Sequence, residues 1–232
     1  MKTEHTNSGG MRLHRRAFLQ YAGAGAATVG LLAAGCRKDL TALTHINSTS
    51  SIDIGSGDYA ILNYAYALEQ LEAAFYIQVL NTPYKGMSTI EGTYLMEICE
   101  HEIIHREFFK AALGSNAIPE LKVDFSKIDF TSRKATLGAS KAFEDTGVAA
   151  YDGVGYLIKN ADYLTIAGKI VSVEARHAAL IRNLLVSGDF AGSDIIDNNG
   201  LNKTLLIAEV LPIANNYLKT KVSAINYNYV AS

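Results

Sequence analysis

Six residues in two matching sets carry the chemistry open to this 232-residue chain: Glu69 with Glu102 and His105, then Glu144 with Glu174 and His177. A glutamate and a histidine three apart on a helix share one face a turn apart, so the pair can grip one ion. Glu102-Ile103-Ile104-His105 and Glu174-Ala175-Arg176-His177 are two such pairs. Glu69 and Glu144 would add single carboxylates from partner helices. Four carboxylates and two imidazoles are the ligand inventory of a dinuclear centre inside a four-helix bundle. Such mixed oxygen and imidazole donors suit iron or manganese, whereas zinc usually takes fewer carboxylates or some thiolate. Two Fe ions, or two Mn ions, per chain are therefore expected.

The two halves align with each other. Ala67-Leu68-Glu69 leads seven residues on to Tyr76, and Ala142-Phe143-Glu144 leads seven on to Tyr151. The same alignment ranks Glu69 over its neighbour Glu72, the alternate ligand from helix one, because Glu69 matches Glu144 while Glu72 matches Gly147. Tyr76 and Tyr151 are candidate hydrogen-bond donors to ligands on the partner helices, a role that orients and tunes a metal site. Helical phase supports an inward site. Leu95, Ile98, Cys99, His105 and Phe109 fall on the side of Glu102, and Glu97, Glu100 and Glu107 fall opposite. Ile170, Glu174, His177 and Ile181 make the corresponding stripe, with Arg176 and Arg182 away from it. Carboxylates buried together are strongly disfavoured unless a cation neutralises them. His101 lies beside the ligand face and reads as a surface histidine. Cys99, one turn before Glu102, reads as a small core residue.

These residues require an all-α scaffold of four long helices. Helix one is predicted over about 58 to 80, stopped by Pro83. Helix two opens with the capping box Ser88 and Glu91 and ends near Gly114. Residues 115 to 130 hold Pro119 and a strand-like alternation from Leu121 to Phe130, a length that can cross the bundle and set helix three parallel to helix two. Helix three is expected over 131 to 159 and helix four over 162 to 186. The segment 201 to 222 is periodic and helical in pattern, with Pro212 expected to kink or split it. The bundle thus occupies 58 to 190, and a C-terminal helical appendage follows over 191 to 232.

With Glu-x6-Tyr and Glu-x-x-His each occurring twice in order, the chain resembles the ferritin-like superfamily of ferritins, bacterioferritins and rubrerythrins. Leu68-Glu69-Gln70-Leu71-Glu72-Ala73-Ala74-Phe75-Tyr76 and Glu174-Ala175-Arg176-His177-Ala178-Ala179 are more similar to the bacterial ferritin-like-domain family that also holds desiccation-related proteins. The resemblance covers about 58 to 190. It implies an up-down-down-up bundle with a long crossover between helices two and three, a di-iron or di-manganese centre, and reaction with dioxygen or peroxide. A Cys-rich rubredoxin segment and a bacterioferritin-type haem site are both missing from the sequence.

The N-terminus reads as an address. Arg15-Arg16 ahead of the Gly/Ala-rich apolar stretch 21 to 34 resembles a twin-arginine signal, which exports proteins already folded and loaded. Leu32-Ala33-Ala34-Gly35-Cys36 resembles a lipobox, making Cys36 the lipidated mature N-terminus of an envelope or periplasmic lipoprotein. Residues 1 to 36 are then signal, and 37 to 57, rich in Ser, Thr, Asp and Gly, have the composition of a flexible tether. A net charge of −2 without basic bias sets nucleic acid aside. Expected partners are metal ions, a small oxidant such as peroxide or dioxygen, the membrane through the lipid, and a second copy in a homodimer. The leading function is redox chemistry on peroxide or dioxygen, or oxidation of ferrous iron. The alternative is a non-enzymatic metal-binding or desiccation-protective protein on the same fold.

Overall fold

The computed structural model describes residues 51 to 227; the twin-arginine segment, Cys36 and most of the expected tether lie outside the described residues. Four long helices form the frame: α1 (Gly57–Asn81), α2 (Thr89–Leu113), α3 (Arg133–Val154) and α4 (Ala161–Leu185). α1 packs along α2 and α3 along α4, each pair joined by a short antiparallel turn. The long crossover between the pairs completes the up-down-down-up bundle. Among the described residues no helix is long and apolar enough to cross a membrane.

Helix ends follow their local chemistry. Ser88 accepts the Glu91 N–H at 3.2 Å and the Glu91 carboxylate accepts the Ser88 N–H at 3.1 Å, which is the predicted capping box. Arg133, at the start of α3, donates to that same Glu91 at 2.7 Å and to the carbonyl of Leu184 at 2.7 Å, so one side chain ties α2, α3 and α4 together. Asn160 caps α4 through the N–H groups of Asp162 and Tyr163. α3 ends at Val154 in a short 3-10 turn, earlier than the helical pattern to 159 suggests.

α1 is buried on nearly every side over 60 to 73, because it packs against α2, α3 and the C-terminal segment. Two of its polar side chains serve the crossover. Asn63 accepts the Ile118 N–H at 2.9 Å and donates to the carbonyls of Ile54 and Asn116, and Gln70 accepts the Leu121 N–H at 2.8 Å. The alternation from Leu121 to Phe130 is not a strand. Only Val123 bridges, to Leu218, while Phe125 and Phe130 pack on Phe75 with ring centroids 5.8 and 5.7 Å away.

The flanks differ from the sequence reading in two places. Residues assigned to the tether join the fold: β1 (Ile52–Asp53) pairs in parallel with β2 (Val222–Ser223), and Ile54 is fully buried. Burying Ile54 and part of Ile52 against the core is reason enough to order a segment whose composition reads as flexible. Among the described residues the C-terminal part is mostly turns and irregular chain, with a single nine-residue helix, α5 (Ile207–Asn215), that continues through Pro212 without splitting. Its apolar residues Val210, Leu211 and Ala214 belong to the main core, so the segment packs against the bundle. The extended stretch before α5 lies flush on α3, where a Cβ on Gly153 would stand 2.0 Å from the carbonyl oxygen of Leu205.

Candidate metal centre

The four helices bring all six predicted ligands to one point. Glu69 from α1, Glu102 and His105 from α2, and Glu174 from α4 form one group of donors; Glu102, Glu144 from α3, Glu174 and His177 form a second. Within each group the donor atoms lie within 4.8 Å of one another. Glu102 and Glu174 belong to both, as carboxylates shared between neighbouring ions would. Glu69, Glu102 and Glu144 are completely buried, and Glu174, His177 and His105 nearly so.

The donors face one another without pairing well. His105 Nδ1 lies 2.7 Å from Glu174 and His177 Nδ1 2.8 Å from Glu102. Yet Glu69 Oε2, both oxygens of Glu102, Glu144 Oε2, Glu174 Oε1 and His105 Nδ1 have no aligned hydrogen-bond partner. Short contacts with misdirected lone pairs fit atoms converging on a shared cation better than donors meeting acceptors. The residues therefore fit a metal site.

Titration behaviour follows from the crowding. Burial, with the Glu174 charge beside it, pushes Glu102 well above the ordinary carboxyl range, and burial also raises Glu144. Glu174 is held low: burial opposes ionisation, but the two imidazoles beside it, His105 and His177, outweigh it. Burial disfavours charge on His105 and His177, yet their surrounding carboxylates overcome it and push both imidazoles up to about 12. In the metal-free protein, protons on the two histidines thus supply part of the positive charge that the acids require.

Tyr76 on α1 donates to Glu144 on α3 and also bonds Ser140, while Tyr151 on α3 donates to Glu69 on α1. Each tyrosine reaches across to the other half, as the repeat predicts, and burial keeps both hydroxyls protonated. Glu72 is buried as well but belongs to neither ligand group. Its carboxylate rests against Gly147, where a Cβ would lie 2.9 Å from Oε1. Burial and the surrounding glutamates raise its carboxyl well above the ordinary range. Cys99 is a buried free thiol raised by burial, in keeping with a core residue.

His101 corrects the sequence reading. It is exposed, as expected of a surface histidine, but its ring stacks on His177, 9° from parallel, with Nδ1 2.9 Å from His177 Nε2. Sequence gave only one signal for this, a position next to the ligand face. Arg182 points away from the metal stripe, as its helical phase predicts, and is almost fully buried between Asp145 at 2.8 Å, Asp189 at 3.2 Å and Asp194 at 2.5 Å.

A profile of the ferritin-like domain family matches residues 57–187, which is more than half of the chain and contains every ligand candidate. The chain belongs to the ferritin-like domain family. No curated protein matches it significantly.

Proposed function

We propose that this protein is an exported, lipid-anchored dinuclear Fe or Mn protein that reduces peroxide or dioxygen, or oxidises ferrous iron. The observation that carries the metal half of this reading is the pair of overlapping donor groups sharing Glu102 and Glu174 in a fully buried setting. When bound, two iron or manganese ions supply paired redox chemistry toward such oxidants. The chain's own part is positional. Glu102 and Glu174 hold both sites together, Glu69 with His105 and Glu144 with His177 complete one side each, and Tyr76 and Tyr151 fix the two single carboxylates. Burial keeps bulk water from the donors, which strengthens their hold on a cation. Export and anchoring rest on Arg15-Arg16 and the lipobox-like run to Cys36.

The test is anaerobic titration of metal-free protein with Fe(II) or Mn(II), followed by addition of peroxide. About two ions per chain are expected, followed by peroxide loss with optical change in the iron form. A Glu102→Ala, His177→Ala double variant that still loads fully would overturn the site. Full loading of the wild type with no turnover of peroxide, dioxygen or ferrous iron would establish the non-enzymatic alternative.

A further inference from the structure

The internal repeat makes the two halves of the centre chemically alike, but one residue breaks the likeness. The position just before Glu102 is His101, and the position just before Glu174 is Val173. His101 crosses to the other half and meets the ring of His177. Among the described residues His105, the counterpart of His177, has no such imidazole, and Val173 offers no hydrogen-bonding atom.

The contact bears on which nitrogen of His177 is free. His177 Nδ1 is the atom turned toward Glu102, Glu144 and Glu174, at 2.8, 3.6 and 3.2 Å. A neutral imidazole can ligate through Nδ1 only when its proton is on Nε2. A hydrogen-bond acceptor at Nε2 selects that form and fixes the ring's rotation. Nδ1 of His101 stands 2.9 Å from Nε2 in nearly parallel rings, which is where such an acceptor belongs.

We infer that His101 is a positioning residue for His177, and that it makes the ion position of Glu144 and His177 bind more tightly than the position of Glu69 and His105. The inference rests on the two-ion reading above. It predicts a centre that fills in two unequal steps.

The experiment is stepwise titration of the metal-free full chain with Co(II), read by visible absorption and calorimetry, with apo thermal stability measured alongside. The wild type should bind two ions with distinct affinities. His101→Val, which copies the other half, should weaken the tighter step by about tenfold or more and leave the weaker step in place. His101→Gln restores an acceptor and should recover much of the loss and the wild-type Co(II) spectrum. Val173→His should tighten the weaker step. If the wild type binds two ions and His101→Val leaves both steps unchanged, or weakens both equally, the inference is overturned and the two-ion reading stands. If the wild type binds no second ion, both are overturned together.

Discussion

Glu69 and Glu72 show how little separates a ligand from a bystander on one helix. Both are buried, three residues apart, on the same turn of α1. Glu69 is held by Tyr151 within a donor group, whereas Glu72 lies in the space that Gly147 leaves open. Glu69→Gln should therefore lower affinity for one ion by about 10–100-fold, the range seen when the support of a metal site is lost. Glu72→Gln should keep metal stoichiometry. Fe(II) titration of the two variants side by side decides this, and loss of an ion in Glu72→Gln with wild-type behaviour in Glu69→Gln would move the site one turn along α1. Tyr151→Phe belongs to the same argument. It leaves Glu69 Oε1 without its donor and should weaken the same ion as Glu69→Gln, by a smaller factor.

At the scale of elements, the loops hold the helices in place through a few buried polar groups. Arg182 clamps α3 to the segment after α4 through three aspartates, and its guanidinium holds the Asp194 carboxyl down to about 2. Arg182→Ala leaves Asp145 half-buried beside a lost partner and should cost about 3 kcal/mol in urea unfolding, within the range for breaking a buried ion pair. A depressed carboxyl stabilises above its unfolded value of 3.8 and ceases to do so as pH falls through about 2, so the clamp itself should release only in strong acid. Gly153 marks a second fixed contact. Adding a methyl group there drives it into the carbonyl of Leu205, whose N–H is bonded to Ala149 at 3.0 Å, and backbone cannot yield as a side chain would. Gly153→Ala should destabilise by about 1–3 kcal/mol as an overpacked contact. It should also raise amide exchange in residues 201 to 206 more than in α1, a pattern that a general loss of stability would not give.

For the molecule as a whole, metal and protons compete for one buried acidic chamber. Without metal, His105 and His177 hold protons up to about 12, against 6.5 when unfolded. Their stabilisation is complete below about 6.5 and declines as pH rises toward 12. Glu72, Glu102 and Glu144 are also raised and act with the same sign above their unfolded value of 4.5, while Glu174 acts oppositely. The metal-free protein should therefore lose stability steadily from pH 6.5 to 9, and the loaded protein should lose much less. Scanning calorimetry of both forms across that interval checks the claim, and parallel curves would refute it. Loading near neutral pH should also release about two protons or more per chain, measurable as a dependence of binding heat on buffer ionisation. At the same scale, the lipoprotein proposal predicts that Cys36→Ala turns a membrane-associated protein into a soluble or unprocessed one, because acyl chains at that position would supply the anchoring energy.

The six residues that converge, the order of the halves and most helix ends were legible in the sequence, because each rests on local periodicity. Glu-x-x-His fixes a face, the repeat fixes which glutamate matches which, and Ser88 with Glu91 fixes a helix start. What only the tertiary structure decided involves residues far apart in the chain. No spacing rule relates His101 to His177, 76 residues on, or links Asn63 to the crossover at Ile118. The helical pattern puts Arg182 away from the metal stripe, but its partners Asp189 and Asp194 meet it only when the loop after α4 folds back. Ile52–Asp53 reads as tether until β2 returns beside it from the other end of the domain. Short-range patterns are set by the backbone's own geometry and can be read one helix at a time. Partnerships between separate elements exist only once packing has chosen which of many compatible surfaces meet.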